Sequence, residues 1–164
     1  MSDMRLIVAG AGGRMGRTLI KAIAETKGVT VSGALEQAGS PFIGRSAHEL
    51  AGLGGQDLVI TDDAETLLRD ADGIVDFTVP QATVELVKLA AKAGIVHVIG
   101  TTGFSADDES AIRKAADKAV IVKSGNMSLG VNLLAALVKR VAKTLDDEFD
   151  IEIVEMHHNK KIDA

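Results

Sequence analysis

The last residues of the sequence concentrate side chains that donate protons and bind anions. His157 and His158 are neighbours, and Lys161 follows three residues after His158. An imidazole titrates near neutral pH, so it can donate or accept a proton under physiological conditions. The adjacent ammonium groups attract carboxylates and repel metal ions, and no third metal ligand is at hand. The cluster therefore predicts a proton-donating site for an acidic substrate, without a metal, and the alternative is a solvated basic tail.

A glycine-rich turn near the start of the sequence is suited to a phosphate group. Gly10, Gly13 and Gly16 recur every three residues directly after an apolar run. Glycines let the backbone approach a pyrophosphate closely, and the free N–H groups at the start of the following helix attract it. The strict G-x-G-x-x-G spacing fails because Met15 stands at its last position. Taken alone, the turn also fits a tight structural connection.

An acidic residue follows this turn at the spacing found in dinucleotide-binding folds. Glu36 comes 20 residues after Gly16, at the end of the second predicted strand. In those folds a carboxylate at this place binds the ribose hydroxyls. The neighbouring Gln37 offers only neutral hydrogen bonds, where a basic side chain would pair with a 2′-phosphate. The pair favours NADH, while Arg14 and Arg45 are left as candidates to reach a phosphate.

Three polar segments follow later predicted strands, at residues 76–80, 100–104 and 124–128. In open α/β sheets, ligands bind outside the carboxyl ends of the strands. The hydroxyl and amide groups of these segments suit a nicotinamide ribose and carboxamide, although the same residue types form ordinary turns. Three such segments on one edge of the predicted sheet favour a binding cleft.

Short apolar runs alternate with helical patterns over the first 126 residues. Continuous apolar strands are typical of a parallel sheet that is covered on both faces, and His97, inside one of them, is expected to be a hydrogen-bonded core residue. We therefore expect an α/β fold with a doubly wound, mostly parallel sheet of Rossmann type. Strands are predicted at residues 6–9, 29–35, 58–60, 74–78, 95–99 and 119–123, with helices at 15–23, 81–93 and 105–118.

The pattern changes after residue 126. A long helical stripe covers residues 127–145, and residues 149–153 then alternate between apolar and polar, which is typical of a strand with one wet face. We predict a dinucleotide-binding domain at 1–126. Residues 127–164 are then the connecting helix, first strand and catalytic loop of an α+β substrate and oligomerisation domain. A half-exposed strand needs partners, so we expect further chain or another subunit to complete it.

Composition excludes several classes of function. The sequence has no cysteine, so disulfides and thiolate chemistry are excluded. A net charge of −5 with no Trp and no Tyr argues against a nucleic-acid partner. No apolar run approaches the ~18 residues of a membrane span. A cytoplasmic protein is expected.

Taken together, the motifs resemble those of the dihydrodipicolinate reductase family. The double histidine followed by lysine and Asp-Ala is the most specific match. Gln37 departs from the family, since many members have arginine there, and the family continues past the Asp-Ala with most of the substrate domain. The matching stretches are residues 10–16, 35–36, 76–81, 100–105, 126–132 and 155–164.

The resemblance implies a cytoplasmic homotetramer of diaminopimelate and lysine biosynthesis that uses NADH or NADPH to reduce a cyclic unsaturated imine dicarboxylate. It implies catalytic proton transfer by His157 and Lys161, and a substrate contact by His158. Another nicotinamide-dependent dehydrogenase and a non-catalytic dinucleotide-sensing module are the alternatives. The implied cofactor contacts are Gly10, Ala11, Gly12, Gly13, Arg14, Met15, Glu36, Gly100, Thr101, Thr102, Ser124, Gly125, Asn126 and Met127.

Overall fold

The computed structural model describes residues 2–54, 58–145, 148–154 and 156. The chain falls into two compact units, Met1–Ser124 and Gly125–Ala164. Each unit is described by itself. In the described part of the chain, the helices are all too short or too polar to cross a membrane.

The first unit is built on a six-stranded sheet in which every pairing is parallel. The strand order is β3-β2-β1-β4-β5-β6, which is the order of the doubly wound dinucleotide-binding fold. This confirms the predicted fold class. In chain order the strands are β1 (Met4–Ala9), β2 (Val29–Leu35), β3 (Ile60–Thr61), β4 (Gly73–Asp76), β5 (Val96–Ile99) and β6 (Ile121–Lys123).

Helices cover both faces of this sheet, as the continuous apolar strands predict. Ile7 and Val8 of β1 point to opposite faces, because successive strand side chains alternate. Ile7 packs in a cluster with Leu86 of α4, whereas Val8 packs in a cluster with Ile20 of α1. The helices are α1 (Arg14–Ala24), α2 (Ala47–Leu50), α3 (Ala64–Leu68), α4 (Pro80–Ala93) and α5 (Ala106–Ala115).

The end of β4 differs from the prediction for a local reason. β4 was expected to reach residue 78 but ends at Asp76. The Asp76 carboxylate accepts the Thr78 N–H at 3.0 Å, so the side chain captures a donor that a longer strand would use in the ladder. β6 begins only at Ile121, two residues after the predicted start.

The second unit contains α6 (Leu129–Thr144), which the helical stripe predicts. The Ser128 hydroxyl accepts the Val131 N–H at 3.4 Å and caps the start of this helix. The expected strand at residues 149–153 is not present, and this prediction is wrong for the described chain. Alternating apolar and polar residues would give a strand one apolar face. A strand forms, however, only when its backbone pairs with another strand.

Candidate functional site

The glycine turn joins β1 to α1 at the carboxyl edge of the sheet. Gly10 has a φ of 68°, in the left-handed region that glycine adopts at little cost. A Cβ on Gly16 would overlap the carbonyl oxygen of Gly10. The first turn of α1 therefore lies closer to the preceding turn than a residue with a side chain permits.

The start of α1 has free donors that face this turn. Gly13 is its N-cap and supplies no side-chain hydrogen bond, and the first turn has no acidic residue. By contrast, α3 and α5 are capped by the side chains of Asp63 and Ser105. An uncapped N-terminus leaves backbone N–H groups and the positive end of the helix dipole available to an anion. With the close glycine packing, this arrangement fits a pyrophosphate.

The predicted ribose-binding acid lies directly beside the turn. Oε1 of Glu36 accepts the Gly12 N–H at 3.0 Å, and Oε2 accepts the Gln37 N–H at 3.2 Å. The Glu36 N–H itself donates to the Thr61 carbonyl at 2.9 Å, which continues the β2–β3 pairing. The structure thus brings together an acid and a glycine turn that are more than twenty residues apart in the sequence.

The loop after β4 contacts both the glycine turn and the loop after β5. A Cβ on Gly10 would come within 3.0 Å of Cγ2 of Thr78. A Cβ on Gly100 would overlap the ring of Phe77, and the Gly100 N–H donates to the Asp76 carbonyl at 2.8 Å. The loop after β4 therefore links the glycine turn to the loop after β5, as expected for a cleft at this edge of the sheet.

A buried cluster of hydrogen bonds holds the β4 and β5 loops together. Oδ1 of Asp76 accepts the Thr78 hydroxyl at 2.6 Å and lies 3.4 Å from the Thr101 hydroxyl. The Thr101 oxygen also accepts the Thr78 N–H at 3.1 Å and the Thr83 hydroxyl at 2.8 Å. On the other side, Oδ2 of Asp76 lies 3.2 Å from Nε2 of His97. Asp76, Thr83, Thr101 and His97 are all buried.

The electrostatics of this cluster fix the state of its members. Burial raises the pKa of Asp76, but the hydrogen bonds from His97 and Thr78 outweigh it and hold the pKa of the carboxyl below its usual value. Because an ionised carboxylate only accepts, Nε2 of His97 carries the proton. Nδ1 of His97 is buried without a hydrogen-bond partner.

The roles of the Asp76 and Thr83 side chains were not predicted from the sequence, and His97 was expected to be a hydrogen-bonded core residue. His97 is buried as predicted, but only one of its ring nitrogens is bonded. The available signal was an aspartate at the end of an apolar strand, next to threonines. Its partners come from a neighbouring strand and a helix, so spacing along the chain does not reveal them.

The segment after β6 divides between the two units. In the first, the Ser124 N–H donates to the Ile99 carbonyl at 3.1 Å and places Ser124 beside the end of β5. In the second, Oδ1 of Asn126 accepts the Ser128 N–H at 2.8 Å, and Nδ2 of Asn132 donates to the Asn126 carbonyl at 2.8 Å. Gly125 and Met127 are the other two cofactor contacts that were predicted in this segment.

The predicted catalytic cluster lies outside the described residues. The roles expected for His157, His158 and Lys161 therefore stay predictions. Among the residues that the structure describes, no group of His, Cys, Asp and Glu is arranged to hold a metal ion.

Comparisons with known proteins match the whole chain to one family. Residues 4–127 match the N-terminal region of dihydrodipicolinate reductase, and residues 130–164 match its C-terminal region. The 4-hydroxy-tetrahydrodipicolinate reductases of Rhodopseudomonas palustris (strain TIE-1) and Bradyrhizobium diazoefficiens are each 62% identical over all 164 residues. These 164 residues span 60% of the length of either relative.

Solved structures agree on the fold. Dipicolinate-bound dihydrodipicolinate reductase from Paenisporosarcina sp. TG-14 matches with a TM-score of 0.67 at 18% identity, over 85% of this chain and 54% of that one. A Rex-family repressor matches with a TM-score of 0.56 at 14% identity, over 87% of this chain and 61% of that one. At such identities the likeness concerns the fold alone.

We predict that Asp76→Ala lowers the free energy of unfolding by about 2–3 kcal/mol, since buried donors lose their acceptor. Asp76→Asn keeps an acceptor oxygen and is expected to cost less. Because the folded pKa of Asp76 lies below its usual value, its ionised form stabilises the fold above the ordinary aspartate pKa of about 3.9. This contribution is lost as the pH falls through the lower, folded value.

Urea denaturation from pH 6 down to pH 2 measures this effect. The stability difference between the wild type and Asp76→Asn is expected to shrink below about pH 4. Asp117→Asn, at an exposed site after α5, is the matched control and leaves the profile unchanged. A difference that is constant across the whole range would contradict the role of the ionised carboxylate.

Proposed function

The chain belongs to the dihydrodipicolinate reductase family, and from this we propose that the intact protein is a 4-hydroxy-tetrahydrodipicolinate reductase. The reaction is reduction of a cyclic unsaturated imine dicarboxylate to tetrahydrodipicolinate with NADH or NADPH, in diaminopimelate and lysine biosynthesis. The observation that carries the proposal is the 3.0 Å hydrogen bond from Gly12 to Glu36. It joins the phosphate-binding turn and the ribose-binding acid of a dinucleotide site.

The cofactor is held, in this proposal, by groups at the carboxyl edge of the sheet. The turn from Gly10 to Met15 and the first N–H groups of α1 bind the pyrophosphate. Glu36 binds the adenosine ribose. The neighbouring Gln37 is neutral and lacks the charge that would pair with a 2′-phosphate, so the two residues favour NADH over NADPH. Residues 100–102 and 124–127 surround the nicotinamide end. When bound, the reduced nicotinamide supplies a hydride, and the protein supplies position and field.

The proton is supplied, in this proposal, by the cluster that contains His157 and Lys161. Hydride addition to a conjugated imine develops negative charge, which a positioned acid neutralises. Lys161 donates this proton, and His157 donates or accepts a proton. His158 contacts the substrate. The positive charge of the cluster holds a dicarboxylate by attraction. A positioned general acid contributes about 10²–10⁴-fold to the rate.

We also propose the domain organisation, compartment and assembly of the protein, and family membership supports each of them. Residues 1–126 form the dinucleotide-binding domain, and residues 127–164 begin the substrate domain. The protein acts in the cytoplasm as a homotetramer on a small molecule, with no nucleic-acid or membrane partner.

We predict that Glu36→Ala weakens NADH binding about tenfold or more, the equivalent of losing about 1.5–3 kcal/mol of charge-assisted hydrogen bonds to the ribose. NADPH is expected to be unaffected or to bind more tightly, because the carboxylate no longer faces a phosphate. Calorimetric titration of the intact protein measures both affinities. Glu25→Ala, at the exposed end of α1, is the control. Equal losses for the two cofactors would contradict the assigned role.

We further predict that His157→Ala and Lys161→Ala each lower turnover of the cyclic imine by about 10²–10⁴-fold with nearly unchanged cofactor affinity. Substrate-dependent oxidation of the reduced cofactor measures turnover, and Lys118→Ala is the control. Oxidation with simple aldehydes or hydroxy acids instead would indicate another dehydrogenase. Full cellular function of both variants would indicate a dinucleotide-sensing module and overturn the proposal.

A further inference from the structure

Thr101 and Thr102 are neighbours in the loop after β5, but they lie in different environments. Thr101 is only 4% exposed, whereas Thr102 is an exposed residue. The sequence predicts both as cofactor contacts. Because their surroundings differ so much, the two threonines do not have the same role.

The hydrogen-bonding capacity of the Thr101 hydroxyl is used entirely inside the protein. A hydroxyl has one O–H donor and two acceptor lone pairs. The Thr101 oxygen accepts the Thr78 N–H at 3.1 Å and the Thr83 hydroxyl at 2.8 Å. Its own O–H donates to Oδ1 of Asp76 at 3.4 Å. A contact between Thr101 and a cofactor is therefore made by the backbone of this residue and not by its hydroxyl.

The Asp76 carboxylate, to which Thr101 donates, is held from both sides. Its Oδ2 accepts from Nε2 of His97 at 3.2 Å. Its Oδ1 accepts the N–H of Thr78 at 3.0 Å and the hydroxyl of Thr78 at 2.6 Å. Asp76 and His97 are both fully buried. Rotation of the carboxylate would leave buried donors without an acceptor, which is strongly unfavourable, so the group has one arrangement.

Asp76 also holds the backbone at the start of the β5 loop. Its carbonyl accepts the Gly100 N–H at 2.8 Å, while its side chain bonds Thr101. The end of the same loop is held separately, because the Lys123 Nζ lies 5.1 Å from the ring centroid of Phe104. The position of the first residues of this loop thus depends on Asp76, whereas that of the last ones has its own support.

We propose that Asp76 is a positioning residue for hydride transfer, which holds the backbone of residues 100–102 at the nicotinamide end of the cofactor through Thr101. The inference rests on the proposed function, in which these residues surround the nicotinamide. A displacement of about 1 Å between reacting groups can lower a rate about 10²-fold. The adenosine half is bound by other groups, at the glycine turn and Glu36. Loss of the Asp76 network therefore affects hydride transfer much more than binding of the adenosine half.

Thr101→Val in the intact protein tests this, because it removes the hydroxyl and nearly keeps the shape of the side chain. We expect kcat for the cyclic imine to fall about tenfold or more. The affinity for ADP-ribose, which lacks the nicotinamide, is expected to change by less than about twofold. Thr101→Ser keeps the hydroxyl and is expected to recover most of the turnover. Thr26→Val is the matched control, since the exposed Thr26 hydroxyl donates to the Ala22 carbonyl at 2.7 Å, and it leaves both quantities unchanged.

Asp76→Asn tests whether the carboxylate acts through Thr101. This variant keeps an oxygen acceptor but replaces a charge-assisted hydrogen bond with a weaker neutral one. We expect it to lower kcat less than Thr101→Val does. Thr101→Val is also expected to lower kcat by a smaller factor in the Asp76→Asn background than in the wild type, because interacting residues are not additive. The same factor in both backgrounds would show independent effects and overturn the inference.

The outcomes separate this inference from the proposed function. If the wild type reduces the imine but Thr101→Val has unchanged kcat, the inference is wrong and the proposed function stands. The same holds if Thr101→Val loses ADP-ribose affinity by the same factor as kcat, or if Thr101→Ser is as slow as Thr101→Val. If the folded wild type reduces no cyclic imine with NADH or NADPH, both are wrong.

Discussion

The approach of α1 to the end of β1 is the constraint on which the rest of the structure depends. The backbone of Gly16 lies so close to the carbonyl of Gly10 that a single added carbon would overlap it. This contact places the uncapped start of α1 at the carboxyl edge of the sheet. The same turn presents the Gly12 N–H to Glu36 and the Gly12 carbonyl to Arg17. One short turn thus brings the glycine backbone, the Glu36 carboxylate and the Arg17 guanidinium together.

The buried carboxylate of Asp76 has the corresponding role for the neighbouring loops. It ends β4 by capturing the Thr78 N–H, and its side chain bonds His97 of the next strand. Threonine hydroxyls complete its shell, so the charge is stable in the core. The loops after β4 and β5 are therefore linked by the same side chain. The glycine turn contacts this pair through Thr78.

Much of the fold could be predicted from the sequence, because runs of apolar residues and glycines at turns are local signals. β2 has the predicted limits, and α4 and α6 differ from theirs by one or two residues. Predictions failed where a distant partner decides the outcome. The segment 149–153 alternates as a strand does, yet alternation does not provide a pairing partner. Asp76 bonds His97 and Thr101, which are more than twenty residues further along the chain. Phe42 lies against Gly12, which is equally distant in the sequence, so no spacing rule indicates these contacts.

Calorimetric titration of the folded, intact protein with NADH tests the central claim most directly, namely that the turn after β1 binds a dinucleotide diphosphate. The account predicts saturable binding of one dinucleotide per chain, and the same site should be competed for by ADP-ribose, which shares the diphosphate and ribose. If neither NADH nor NADPH produces a binding isotherm with protein whose fold has been verified, the glycine turn is a structural connection only and the account is contradicted.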